Sequence, residues 1–427
     1  MANNDQAEYA AVRDYLFGLK PSGPKFGLDR MKPFAAALGN LERKVPVIHV
    51  AGTNGKGSVS AMLDAILRLA GWRTGLYTSP HLVNLGERVQ VARRPLTAEE
   101  IIAYTRELRP VAGKVAAANP DDRPSFFEFM TAMAFLEFTR KRCDIAVLET
   151  GLGGRLDATN IVTPELTVIT SIGLDHCELL GETIEKIAAE KAGIIKLGRH
   201  VVLGRVPPAA DRVIREVAKT RDAPLTSVTD VYGSDLSRYP ATNLEGDHQR
   251  WNAATATLAA RTLLARWKIT DSGISRALRQ VDWPGRWQRV RVGGRLVILD
   301  AAHNPEAAQV LDTSLKQLVA ETGRAPVVIT GILGAARARP LVEAICRHAG
   351  EVHLTVPNQP RACTHDELEA LVPAAFGGRK VRTTVEELFS FRDSCSAGGP
   401  DDVIVVTGSI YLLGEVMARL ASAPLRS

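Results

Sequence analysis

The sequence predicts an α/β protein made of two blocks, each a mostly parallel sheet covered by helices. Three observations predict it. Short β-branched runs alternate with segments of helical periodicity over most of the 427 residues. A glycine-rich loop, Ala51–Ser58, separates one such run from the helix after it. A second strand series begins near Arg295, beyond Trp283-Pro-Gly-Arg286, which sets blocks of 1–287 and 288–427.

In chain order, Val45–Val50 reads as a strand entering the loop. Ser58–Ala70 carries apolar residues at helical spacing and stops at Gly71. Arg73–Thr78, Asp144–Glu149 and Leu166–Ser171 read as buried strands. Between them Ser125–Arg140 reads as a helix, with Ser125 and Glu128 spaced as a capping box. In the second block Leu296–Asp300 is a strand, Asn304 caps a helix and Pro305 opens it. Pro326–Thr330 and Val403–Thr407 are strands, the latter feeding a helix from Ile410. Thr364 and Glu367 form a second capping-box match before Leu368–Leu371.

Composition narrows the class. Hydrophobic residues make up 45% of the chain, enough for a sizeable core. No apolar run spans a bilayer, and the N-terminus lacks the basic and apolar regions of a secretory signal. Five scattered cysteines with no CxxC pair fit a reduced, cytoplasmic thiol set. The net charge of +6 is spread along the chain, a solvated surface that also attracts anionic small molecules. No motif supports nucleic-acid binding.

Strand, glycine-rich loop, helix is the context a phosphate cradle needs. Glycines let backbone N–H groups approach phosphate oxygens, and the helix points its positive end at them. In the loop, Lys56 can reach the outer phosphates and Ser58 a Mg²⁺ ion. Gly52 and Gly55 are too close together for a strict G-x-x-x-x-G-K-[ST], and Gly57 separates Lys56 from Ser58. Other polar residues fall where open α/β sheets collect ligands, beyond the carboxyl ends of strands. They are Ser79-Pro-His81, Glu149 with Gly151–Asp157, Asp175-His176, and Asp300 with Ala301–Asn304. Glu149 and Ser79 suit Mg²⁺, which prefers oxygen ligands. His176 alone reads as a satisfied polar residue, and Asp300 as a cap on the turn before Asn304. Lys191, near a helix end, reads on its own as a solvated partner of the helix dipole.

Taken in order, several segments resemble the bifunctional dihydrofolate synthase/folylpolyglutamate synthase family of the Mur-ligase superfamily. They are HVAGTNGKGS (His49–Ser58), YTSPHL (Tyr77–Leu82), ERV (Glu87–Val89), FFEF (Phe126–Phe129) and LETGLGGRLDATN (Leu148–Asn160). IGLDH (Ile172–His176), EKAGIIK (Glu190–Lys196), PGR (Pro284–Arg286), DAAHNP (Asp300–Pro305) and TGSIYLLG (Thr407–Gly414) follow. The resemblance implies an N-terminal P-loop ATPase-like domain and a smaller C-terminal Rossmann-like domain, with the site in the cleft between them. It implies that ATP phosphorylates the carboxylate of dihydropteroate or a folate, and that L-glutamate attacks the acyl phosphate.

By position, the resemblance gives Gly55, Lys56, Gly57 and Ser58 to the ATP phosphates. It gives Asn252, Arg286 and Asp300 to the nucleotide, and Ser79, Glu149 and His176 to Mg²⁺. Phe126, Phe127, Glu128, Leu156, Asp157 and Ala158 match the pteroate pocket, and His303 and Ser409 the incoming glutamate. Lys56, Lys191 and His176 are the catalytic candidates, with Lys191 carbamylated by CO₂. The resemblance favours a monomer. A departure follows Gly331-Ile-Leu333, where Gly334-Ala-Ala-Arg337 replaces the family's usual Asp-Lys pair; either Arg337 or Arg339 replaces the missing cation, or the loop pairs differently. FFEF and GLGGRLDATN argue against a peptidoglycan-precursor ligase. The second-domain motifs argue against a kinase or regulatory NTPase, and the intact metal positions against a non-catalytic nucleotide-binding protein.

Overall fold

The computed structural model describes residues 3–20 and 27–421, and the side chains of Asn3, Asn4, Ala336 and Arg337 lie outside the described set. The chain forms two compact units. One holds the described residues up to Asn243 together with Gln249–Val281; the other holds Leu244–His248 and the described residues from Asp282 onward.

The first unit is built on eight strands, β1 (Val47–Ala51), β2 (Thr74–Tyr77), β3 (Val89–Val91), β4 (Arg94–Pro95), β5 (Ile145–Glu149), β6 (Leu166–Ile169), β7 (His200–Leu203) and β8 (Leu225–Ser227). Their order is β4-β3-β2-β5-β1-β6-β7-β8. The six from β2 to β8 are parallel, and β3 and β4 pair antiparallel at one edge. Every residue of β1 and β5 is buried, as expected of central strands covered on both faces. On one face Val47, Tyr77 and Leu148 pack with Phe129 and Met133 of the helix Phe126–Arg140. The helix Lys56–Leu69 follows β1 directly and buries most of its length. A further core joins Ile169, Val201 and Leu203 to Ile187 of the helix Ile184–Ala192.

The second unit has six strands, β9 (Gln288–Val292), β10 (Arg295–Leu299), β11 (Val327–Thr330), β12 (Glu351–Leu354), β13 (Arg379–Arg382) and β14 (Ile404–Thr407), in the order β13-β12-β11-β14-β10-β9. Only β9 is antiparallel, joined to β10 through Gly293-Gly294. Its core gathers Ile298, Val328, Val352 and Val405 with Leu311 and Leu315 of the helix Pro305–Thr322.

Some details differ from the sequence reading. The helix after the phosphate loop starts at Lys56 rather than Ser58. Gly57 does not delay it, because a single glycine costs a helix only about 1 kcal/mol of conformational entropy, which burial of the rest of the helix offsets. The second sheet opens with β9, an edge strand the sequence does not announce, since its arginines break the apolar pattern.

Candidate active site

The phosphate loop is held from several sides. Gly55 sits at φ +80°, and a Cβ there would lie 2.4 Å from Asn252 Oδ1, so the position needs glycine and Asn252 lies directly on the loop. Thr53 N donates to Ser171 O at 2.8 Å. Asn54 N donates to Ser171 Oγ at 3.0 Å, and Thr170 Oγ1 donates to Asn54 O at 2.6 Å. The segment after β6 therefore braces the loop after β1.

Two lysine amines converge on one loop carbonyl. Lys56 Nζ donates to Gly52 O and Thr53 O, both at 3.1 Å. Lys191 Nζ donates to the same Gly52 O at 2.8 Å. Lys191 is only 4% exposed, which corrects its reading as a solvated helix-end lysine. Like charges this close repel unless an anion joins them or one loses its charge. Gly57 and Ser58 lie in the first turn of the following helix, where N–H groups face an incoming anion.

The candidate metal residues leave the carboxyl ends of strands flanking this loop. Glu149 is the last residue of β5, and Ser79 follows the adjacent parallel β2, so both lie at the carboxyl end of the sheet. Their oxygens fit Mg²⁺. His176 follows β6, on the other side of β1. It is a left-handed residue at φ +52°, and its ring lies 4.0 Å from both Asp175 Oδ1 and Glu178 Oε1. Among the described residues no group of three or more His, Cys, Asp or Glu side chains is placed to hold a metal. An ion here would rest on few protein oxygens and take others from phosphate, as Mg²⁺ commonly does.

Phe127 and the glycine-rich loop after β5 are in close contact. A Cβ on Gly151 would lie 2.5 Å from the Phe127 ring. Asp157 Oδ2 accepts from Gly151 N and Leu152 N, both at 2.9 Å. Burial pushes the Asp157 carboxyl up, and these donors pull it back. Leu156 is 43% exposed and Ala158 buried. Phe126 stacks on Phe17, and the Arg88 guanidinium lies 5.1 Å over its ring. The Glu128 carboxylate is engaged within the protein. It accepts from Ser125 N at 2.7 Å, completing the capping box, and from Arg30 Nε at 3.3 Å.

In the second unit Asp300 ties two turns together. Its Oδ2 accepts from Trp287 N and its Oδ1 from Ala302 N, both at 3.0 Å. The turn carrying Arg286 is thereby fixed to the end of β10. Burial raises the Asp300 pKa, and the nearby Arg286 charge opposes the rise. Asn304 caps the next helix through Ala307 N, and His303 Nδ1 bonds Ala301 O at 2.8 Å. Ser409 is buried, and its Oγ accepts from Tyr411 N at 3.1 Å, at the start of the helix Ile410–Ala421.

Several contributors carry no role in the sequence reading. Thr170 and Ser171 brace the phosphate loop but read as ordinary strand-end residues. Arg88, within the ERV segment, donates to His81 Nδ1 at 2.9 Å. That guanidinium and burial together lower the His81 pKa to about 4, burial being the larger cause.

Comparison with known proteins points the same way. The Mur ligase middle domain matches residues 50–235, and the Mur ligase glutamate ligase domain matches 285–410. The dihydrofolate synthase/folylpolyglutamate synthase of Bacillus subtilis is 35% identical over 438 residues, covering 96% of this chain and 99% of that protein. Mycobacterium tuberculosis folylpolyglutamate synthase, solved with ADP and AMPPCP, superposes with a TM-score of 0.83 at 29% identity, over 98% of this chain and 100% of that one. E. coli FolC in complex with DHPP and ADP gives 0.80 at 31% identity, over 96% and 97%.

Proposed function

Because the chain belongs to the dihydrofolate synthase/folylpolyglutamate synthase family of Mur ligases, we propose the following roles for its residues in ATP-dependent amide formation. The enzyme is an ATP-dependent ligase that adds L-glutamate to dihydropteroate, to folates, or to both, through an acyl phosphate. The single observation that supports these roles best is the convergence of Lys56 and Lys191 on Gly52 O, in a loop that opens a helix.

A carboxylate is a poor electrophile until one oxygen becomes part of a phosphate leaving group. The protein's work is to gather three anions and neutralise them. The N–H groups at Gly55–Ser58 hold the phosphates, and Lys56 swings from its loop carbonyls to the outer phosphate. Asn252 contacts the nucleotide beside Gly55, and Arg286 and Asp300 are further nucleotide contacts. Phe126, Phe127, Glu128 and Leu156–Ala158 line the pteroate pocket. Among them Phe127 and Leu156 offer ring and aliphatic surface, while Glu128 and Asp157 hold the walls in shape. His303 and Ser409 receive L-glutamate, whose amine attacks the acyl carbon.

Ser79, Glu149 and His176 would hold Mg²⁺, which when bound neutralises charge on the transferring phosphoryl group. Lys191 is carbamylated in the working enzyme, which replaces one of two crowded positive charges with a negative one. Residues 1–287 form the ATP- and pteroate-binding domain, and 288–427 the glutamate ligase domain. The enzyme works as a monomer. It works in the cytoplasm: the five cysteines are free thiols, and no described helix is long and apolar enough to cross a membrane.

The test is phosphate release from ATP with L-glutamate plus either dihydropteroate or tetrahydrofolate. Stimulation by one acceptor assigns that activity, and by both assigns both. Stimulation by neither would reject the folate reading.

A further inference from the structure

The strand that leads into the phosphate loop carries a side chain with no part in the chemistry above. His49, central in β1, is fully buried. Its Nε2 lies 2.8 Å from Thr159 Oγ1. The Thr159 hydroxyl in turn donates to Asp157 Oδ1 at 2.5 Å. A hydroxyl has one hydrogen, and here the carboxylate takes it, so Nε2 must be the donor to Oγ1. The relay therefore runs one way, from imidazole N–H to hydroxyl to carboxylate. His49 Nδ1 then carries no hydrogen, and it has no hydrogen-bond partner among the described residues. Burial, with the Lys196 charge adding to it, lowers the His49 pKa to about 3, so the ring is neutral.

At its far end the relay reaches a turn that matters. Asp157 accepts from Gly151 N and Leu152 N, and Gly151 lies against the Phe127 ring. Thr159 N supplies a further bond to Oδ1 at 3.0 Å. Without the imidazole donor, the Thr159 hydroxyl is free to rotate away from the carboxylate, and the turn loses one of its restraints.

We propose that His49 is a positioning residue for the acyl substrate: through Thr159 and Asp157 it sets the Gly151-Leu152 turn against Phe127, and so the fit of a pteroyl carboxylate. This rests on the assignment of Phe127 and Leu156–Ala158 to the pteroate pocket. His49→Leu removes the donor and keeps apolar bulk in an interior site. It is expected to raise KM for the pteroyl acceptor about tenfold, the size of one lost hydrogen bond, while KM for ATP stays within about twofold. His49→Gln can place an amide N–H near the former Nε2 and is expected to recover most of that loss. Thr159→Val breaks the relay at its middle, so His49→Leu added to it should make KM no worse.

Hydrogen exchange supplies a readout that needs no substrate. The Gly151 and Leu152 amides should exchange faster in ligand-free His49→Leu than in the natural protein, while the amides of β7 stay unchanged. Unchanged exchange at Gly151 and Leu152 would overturn the proposal. So would KM for ATP rising in step with that for the acceptor, or additive effects in the double variant. A natural protein that turns over neither dihydropteroate nor tetrahydrofolate would reject the pteroate pocket instead, and the exchange measurement would then decide the relay alone.

Discussion

Lys191 and Lys56 carry the sharpest predictions at the scale of single residues. Lys191→Ala should abolish ligase turnover yet leave ATP binding measurable by calorimetry, because the glycine loop and Lys56 remain. Full activity in that variant would reject its catalytic role. Lys56→Met removes the mobile charge that meets the outer phosphate. Its kcat should fall on the order of 10²- to 10³-fold, as when a preorganised donor to a developing anion is lost. His49 adds a pH effect. Its pKa is about 3 in the folded chain, against about 6.5 when unfolded. Between those values the unfolded chain binds more protons, so stability rises with pH through that window and is complete above it. Urea unfolding of His49→Leu between pH 4 and 6 should show a shallower slope, by up to about 1.4 kcal/mol per pH unit. An unchanged slope would show that His49 is protonated in the fold.

At the scale of elements, the start of the helix Phe126–Arg140 is the most exposed to a test. Ser125 and Glu128 cap it reciprocally, and the cap sets where Phe126 and Phe127 emerge. Ser125→Ala should lower stability by about 1 kcal/mol in chemical denaturation, with a weaker KM for the pteroyl acceptor. Such caps were legible in the sequence because they are local. Ser125 with Glu128, Thr364 with Glu367, and Asn304 before Pro305 all lie within one turn, and all three form as read. The central strands were legible because burial on both faces makes them apolar runs. Edge strands such as β9 and β13 were not, since their arginines face outward and hide the pattern. The braces of the site were not legible either. Thr170 to Asn54 spans 116 residues and His49 to Thr159 spans 110, and no spacing rule reaches so far. Lys191 shows the same limit: a helix-end lysine reads as solvated until the fold buries it beside Gly52.

On the scale of the whole molecule, each unit has its own sheet and core. The first carries the phosphate loop, the candidate Mg²⁺ residues and the aromatic wall. The second carries Arg286, Asp300, His303 and Ser409. Ala335-Ala336 lies in the stretch that matches the glutamate ligase domain, so any change it brings should appear first in the use of glutamate. Arg339 is exposed and lies 3.9 Å from Glu343, an ion pair within its own helix. Arg339→Ala should therefore leave KM for ATP unchanged, and a raised KM for L-glutamate would identify it as the substitute cation.

The central claim is that phosphate leaves on an oxygen taken from the acyl substrate. Dihydropteroate or tetrahydrofolate, whichever the enzyme accepts, can be prepared with ¹⁸O in the reacting carboxylate and turned over with ATP and L-glutamate. If the acyl phosphate forms, the carboxylate oxygen attacks the γ-phosphorus, glutamate displaces it, and each inorganic phosphate carries one ¹⁸O from a fully labelled carboxylate. Mass spectrometry of the released phosphate reads this directly. Phosphate free of ¹⁸O alongside amide product would contradict the account.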